Sequence, residues 1–180
     1  MSTELPSYHQ IMQTAWLGGL DDGTPCGRGS TLANTKAIRF LLPRIIEDYG
    51  IRSVCDAGAG DRHWIQHVHL DVVYSAYDLV PRHKTVQPLD ITKELLPSCD
   101  LILCRFVLGH LPPNLALDAI NLFRKSGSYL LASNPESVDY NSDLYGTFNK
   151  WDLRMAPFSL GEPLETHPDA TEHNICLWKL

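Results

Sequence analysis

The stretch Ser53-Val54-Cys55-Asp56-Ala57-Gly58-Ala59-Gly60-Asp61 constrains this chain more than any other. An apolar run leads straight into two closely spaced glycines, which reads as a buried strand feeding a tight turn. About 20 residues further on, a second run, Tyr74-Ser75-Ala76-Tyr77-Asp78, ends in an acid. A glycine turn after one strand and a carboxylate closing the next is how a doubly wound sheet holds the ribose of a nucleoside cofactor. A dinucleotide would want a third glycine where His63 stands, and Asp56 beside the turn would repel a pyrophosphate. A cofactor with a cationic centre and an amino-acid tail suits these residues better, and S-adenosylmethionine (SAM) has both.

The rest of the chain alternates in the same sense. Ser30 or Thr31 can cap a helix running to residue 49, with Ile38, Leu41, Leu42, Ile45 and Ile46 at helical spacing and Gly50 as its stop. The expected strands are Ser53–Ala57, 72–78, 86–89, 100–106 and 129–133, and helices are expected over 8–17, 61–68 and 115–125. The run Asp100-Leu-Ile-Leu-Cys-Arg-Phe is continuously apolar at its centre, as in a parallel strand covered on both faces. Residues 163–166 and 175–180 read as a terminal hairpin. The expected fold is α/β: a Rossmann-like doubly wound sheet, mostly parallel, with a C-terminal antiparallel hairpin. Residues 1–180 are expected to form one domain, with 1–35 as an N-terminal lid and 134–160 as an acceptor-side insertion.

Composition sets the bounds. A chain of 180 residues with 44% hydrophobic and 20% charged residues has enough apolar content for one core. A net charge of -6 argues against a dedicated nucleic-acid binder. No apolar run suits a membrane span, and the first residues lack a signal pattern, so a cytoplasmic protein is expected. The five cysteines are scattered and suggest neither a disulfide framework nor a zinc site. His63 and His67 stand four apart, but no third ligand accompanies them, and no metal is expected.

The ordered set Asp56-Ala-Gly58-Ala-Gly60, Asp78 and Asp90, with the terminal hairpin, resembles the class I SAM-dependent methyltransferases. The likeness extends to a small bacterial and phage-like single-domain group, through Gly29-Ser30-Thr31-Leu32, Arg39, Gly60-Asp61-x-x-Trp64, Leu89-Asp90-Ile91-Thr92 and the closing Leu177-Trp178-Lys179-Leu180. The group's glycine turn often carries a proline and a cysteine where this chain has Gly58 and Ala59.

The resemblance implies a SAM site made by Asp56, Ala57, Gly58, Gly60, Asp61, Trp64, Asp78, Leu79, Asp90, Ile91, Cys104 and Arg105. Asp56 would meet the ammonium, Asp78 the ribose hydroxyls, and Asp90 with Ile91 the adenine. Each has a plainer reading. Asp90 can cap a helix over 92–95, Asp61 can cap a helix, and Trp64 can be core. Arg105 can hold an acceptor or pair with a buried acid such as Asp143. His110 is a candidate general base, and Arg105 and His110 are the two catalytic candidates. Arg28, Ser30, Thr31, Arg39, Asn134, Asp143 and Trp151 are candidates for the acceptor side, with Trp16, Asn141 and Asn149 beside them.

Methyl transfer needs no triad, because the cofactor brings the reactivity and the protein supplies position. The acceptor is expected to be a small molecule, a nucleotide or a modified base. Nucleic acid remains open, though not as a sequence-specific target of this chain alone. A monomer or homodimer is expected. The alternative from another class is a protein that binds SAM or a partner on the same fold without turnover.

Overall fold

The computed structural model describes residues 23–138, 141, 148–170 and 172–180. The helix expected over 8–17, with Trp16, lies outside them, as do most of the 1–35 lid and Asp143. Seven strands form one sheet: β1 (Ser53–Ala57), β2 (Val73–Asp78), β3 (Val86–Pro88), β4 (Cys99–Cys104), β5 (Gly127–Pro135), β6 (Glu165–Pro168) and β7 (His173–Lys179). Their order is β3-β2-β1-β4-β5-β7-β6. The first five run parallel, while β7 inserts antiparallel between β5 and β6. The sheet is therefore Rossmann-like and mostly parallel, with the C-terminal antiparallel hairpin that the sequence suggested.

The strands alternate their burial between two cores. Leu101 and Leu103 of β4 pack with Leu131, Leu177 and α1 (Lys36–Asp48), which contributes Ile38, Leu42 and Ile45. Ile102 and Cys104 point the other way, onto Ile120 and Phe123 of α2 (Pro113–Ser126) and onto Trp151 and Phe158. That two-sided burial is why β4 is apolar without alternation. At the foot of the sheet, Asp100 Oδ2 accepts from the backbone N–H of Arg52 and Ser53 at 2.8 and 3.0 Å, which ties β1 to β4.

Four local expectations are corrected. The capped helix begins at Lys36, not Ser30 or Thr31, because Thr31 and Thr35 spend their hydroxyls inside a run of turns. Thr31 Oγ1 donates to Arg28 O at 3.0 Å, and Thr35 Oγ1 to Thr31 O at 2.8 Å. The helix expected over 61–68 shrinks to a 3-10 turn at Ile65–His67, because Arg62 sits at φ +60° and Asp61 Oδ1 accepts from His63 N in a local turn. The strand expected over 100–106 ends at Cys104, since Phe106 adopts φ +54°. The strand expected over 129–133 continues to Pro135, so Asn134 and Pro135 lie within β5, paired with Asn174 and His173 of β7. Proline is tolerated there because β4 ends opposite Ala132, leaving that edge of β5 unpaired.

Candidate functional site

The turn after β1 folds back on β2: Gly58 N and Ala59 N both donate to Tyr77 O, at 2.8 and 3.0 Å. Gly58 and Gly60 take φ +94° and +55°, a region that favours glycine. Space excludes side chains as well. A Cβ on Gly58 would lie 2.3 Å from Val107 Cγ2, and one on Gly60 2.6 Å from Cys26 Sγ.

Asp78, at the end of β2, locks onto this turn. Its Oδ2 accepts from Gly60 N at 2.8 Å and its Oδ1 from Val80 N at 2.9 Å. Burial holds its carboxyl above the usual range. Asp56 is more enclosed, with 6% of its surface exposed. Burial pushes it up to about 7, against the opposing pull of the Tyr74 hydroxyl that donates to its Oδ2. The nearby Arg62 guanidinium stacks over the Tyr74 ring at 5.0 Å. Asp90, after β3, accepts on Oδ1 from Thr92 N and Oγ1 at 3.0 and 2.6 Å, and its Oδ2 lies 3.0 Å from Lys93 Nζ. The helix expected over 92–95 is a turn instead, and Asp90 caps that turn.

These groups open into one cavity of about 360 Å³ at the carboxyl ends of the parallel strands, where ligands of open α/β sheets sit. Asp56, Gly58, Gly60, Asp61, Trp64, Asp78, Leu79, Asp90, Ile91 and Arg105 all line it, as do His110, Arg28 and Ser30. Ala57 and Cys104 do not; both are buried within their strands.

Four of the acceptor-side candidates lie elsewhere. Thr31 is buried in the turns before α1. Arg39 donates to Leu32 O at 2.8 Å. Trp151 is core and donates Nε1–H to Leu111 O at 3.2 Å. Asn134 is buried, accepting from Leu153 N at 2.8 Å and donating to Asp152 Oδ1 at 3.2 Å. Asn134 thus pins the 148–160 segment to β5. Asn141 does similar work, donating to Asp152 O at 2.8 Å, and Asn149 donates to Gly109 O at 3.1 Å.

Arg105 lines the cavity but its guanidinium is committed. Nε and Nη2 donate to Asp169 at 2.8 and 3.1 Å, Nη1 to Gly29 O at 2.5 Å, and Nη2 also to Asn34 O at 3.0 Å. The acid expected of Asp143 is supplied by Asp169, from the loop between β6 and β7. Arg105 is thereby a positioning residue that anchors the 26–34 segment over the glycine turn.

Sequence reading missed Cys26, Phe106, Val107 and Phe148, which also line the cavity. The Gly27–Gly29 run was a signal for the first of these; nothing in sequence marks the left-handed Phe106. His63 and His67 rings stand 6.5 Å apart, and among the described residues no group of three His, Cys, Asp or Glu side chains converges on a metal position.

The strand order and the strand-end cavity define the class I methyltransferase fold. The solved structures that match this fold include SAM-dependent methyltransferases. The N-methyltransferase NodS from Bradyrhizobium japonicum WM9, in complex with S-adenosyl-L-homocysteine (SAH), matches with a TM-score of 0.68 at 11% identity, over 97% of this chain and 98% of that one. Magnesium protoporphyrin IX methyltransferase (ChlM) from Synechocystis PCC 6803, with bound SAH, matches with 0.58 at 15% identity, over 81% and 83%. The mitomycin 7-O-methyltransferase MmcR matches with 0.62 at 12% identity over 83% of this chain, which spans 55% of MmcR. No family model and no curated protein matches the sequence.

Proposed function

We propose that this protein binds SAM and transfers its methyl group to a small molecule, a nucleotide or a modified base. One observation carries the reading: Asp56, Asp78 and Asp90, from the ends of three neighbouring strands, line a single cavity with the glycine turn. The residues fit the cofactor. The turn at Gly58 and Gly60 packs tightly against Val107 and Cys26 and lines the cavity beside Asp56, where an amino-acid tail would lie. Asp56 is a buried acid whose Oδ2 accepts from the neutral Tyr74 hydroxyl, and it is suited to an ammonium. Asp78 would take the ribose hydroxyls, and Asp90 with Ile91 the adenine edge.

When bound, SAM supplies an electrophilic methyl group on a sulfonium. The chain's own residues orient and enclose. Arg105 holds the 26–34 segment in place, and Trp64, Phe106 and Val107 give the cavity apolar walls that would limit water around a bound acceptor. His110 is the histidine among the lining residues, and it would take the proton of a hydroxyl or ammonium acceptor.

Calorimetry with SAH, SAM and NAD tests the cofactor. Binding of the first two and not NAD is expected, with at least a tenfold loss of SAH affinity in Asp78→Asn. NAD binding without SAH binding would overturn the reading. Incubation with methyl-labelled SAM and an acceptor panel then separates turnover from cofactor binding alone.

A further inference from the structure

The cavity's lining is chemically divided. Its acids, Asp56, Asp61, Asp78 and Asp90, come from the ends of β1, β2 and β3. Past the end of β4 the wall becomes Phe106, Val107, His110 and Phe148, with no carboxylate among the described residues. Resting on the methyltransferase reading, we propose that Phe106, His110 and Phe148 form the acceptor bay, and that it takes a planar aromatic or heteroaromatic ring.

Three observations support this. The rings form one cluster, His110–Phe148 at 4.8 Å and Phe106–Phe148 at 6.0 Å between centroids, backed by His173 at 5.0 Å from Phe106. All three wall rings are only half-buried, whereas the core aromatics Trp151, Phe158 and Trp178 are enclosed. All three line the cavity, and aromatic faces favour a stacked or edge-on ring beyond what area burial alone gives.

Phe106 is also held where it is at a cost. A bulky residue at φ +54° is an outlier. Its N–H donates to Ser133 Oγ at 3.0 Å, the Arg105 guanidinium stacks on its ring at 4.7 Å, and Gly29 leaves the room for it, since a Cβ there would meet Phe106 Cδ2 at 3.2 Å. Core filling does not need this conformation, because the ring lines the cavity. Phe148 is likewise fixed: Asn149 N donates to Gly109 O at 2.7 Å, and a Cβ on Gly109 would lie 2.7 Å from Phe148 Cε2.

The test is ligand-detected NMR on the full chain saturated with SAH, using 2-naphthol, thymidine and decahydro-2-naphthol at millimolar concentration. Binding of at least one aromatic probe tenfold tighter than the saturated alcohol is expected, with that advantage lost in Phe106→Gly and Phe148→Leu. Phe106→Gly removes the ring and relieves the backbone, so its fold is retained. The naphthol and thymidine arms distinguish a hydroxyarene from a nucleobase. Equal binding of decahydro-2-naphthol, wild-type affinity in both variants, or no aromatic binding would overturn the proposal. SAH affinity is measured separately, and its absence overturns the cofactor reading. The same probes on the SAH-free protein then still decide the ring preference.

Discussion

The Tyr74 hydroxyl on β2 donates to Asp56 Oδ2 on β1, across the strand pair and beneath the glycine turn. This bond only partly offsets the burial that raises the Asp56 carboxyl to about 7. The acid that the sequence marks as the ammonium partner is thus poised near neutral pH.

The sign of the resulting pH dependence is fixed. The folded carboxyl holds its proton up to about 7 while the unfolded one releases it near 3.8. Stability of the ligand-free protein from this group is therefore full below that lower value, declines as pH rises, and is lost above about 7. SAH affinity runs the other way, because the ammonium needs the ionised acid. It should fall roughly tenfold per pH unit below about 7 and level off above it. Calorimetry between pH 5.5 and 8.5 checks this, and Asp56→Asn should flatten the profile.

Gly58→Ala should cost about 1–3 kcal/mol of stability and most SAH binding. The substitution combines φ +94° with a 2.3 Å approach to Val107 Cγ2. Adding Val107→Ala should relieve the clash and leave the backbone strain, so denaturant titration of the double variant should recover part of the loss.

Asp169→Ala should destabilise the protein by about 3–5 kcal/mol, because it strands a buried guanidinium. The side chains of Arg105 and Asp169 are 4% and 0% exposed. The paired Arg105→Met and Asp169→Leu change should be much milder than either single change. A double-mutant cycle by chemical denaturation reads the coupling.

Asn134→Ala should cost about 1–3 kcal/mol through the buried Leu153 N–H left without its acceptor. Because Asn134 does not line the cavity, SAH affinity should stay within about twofold.

The sheet was largely legible because β1 and β4 are apolar runs with punctuated ends, and because β6 and β7 bracket a turn. The acids were legible for a related reason. Residues at the carboxyl ends of strands are placed by the strands themselves, so Asp56, Asp78 and Asp90 converge wherever the sheet forms. What escaped depends on long-range choices. Arg105 finds Asp169, 64 positions away; no local pattern distinguishes that acid from Asp143. Asn134 looked like a loop residue until β7 extended the pairing to Pro135. Phe106 turns left-handed only because Ser133, Arg105 and Gly29 together hold it there.

The Arg105 clamp also orders events in time. The carboxylates that flank the cavity are complete once β1, β2, β3 and their turns are made, all of them before β4 in chain order. The cover over them waits for Asp169, which follows β6 in chain order. A nascent chain can therefore display the open half of its pocket well before it can close it, and early contact with a ligand would precede the enclosure that catalysis requires.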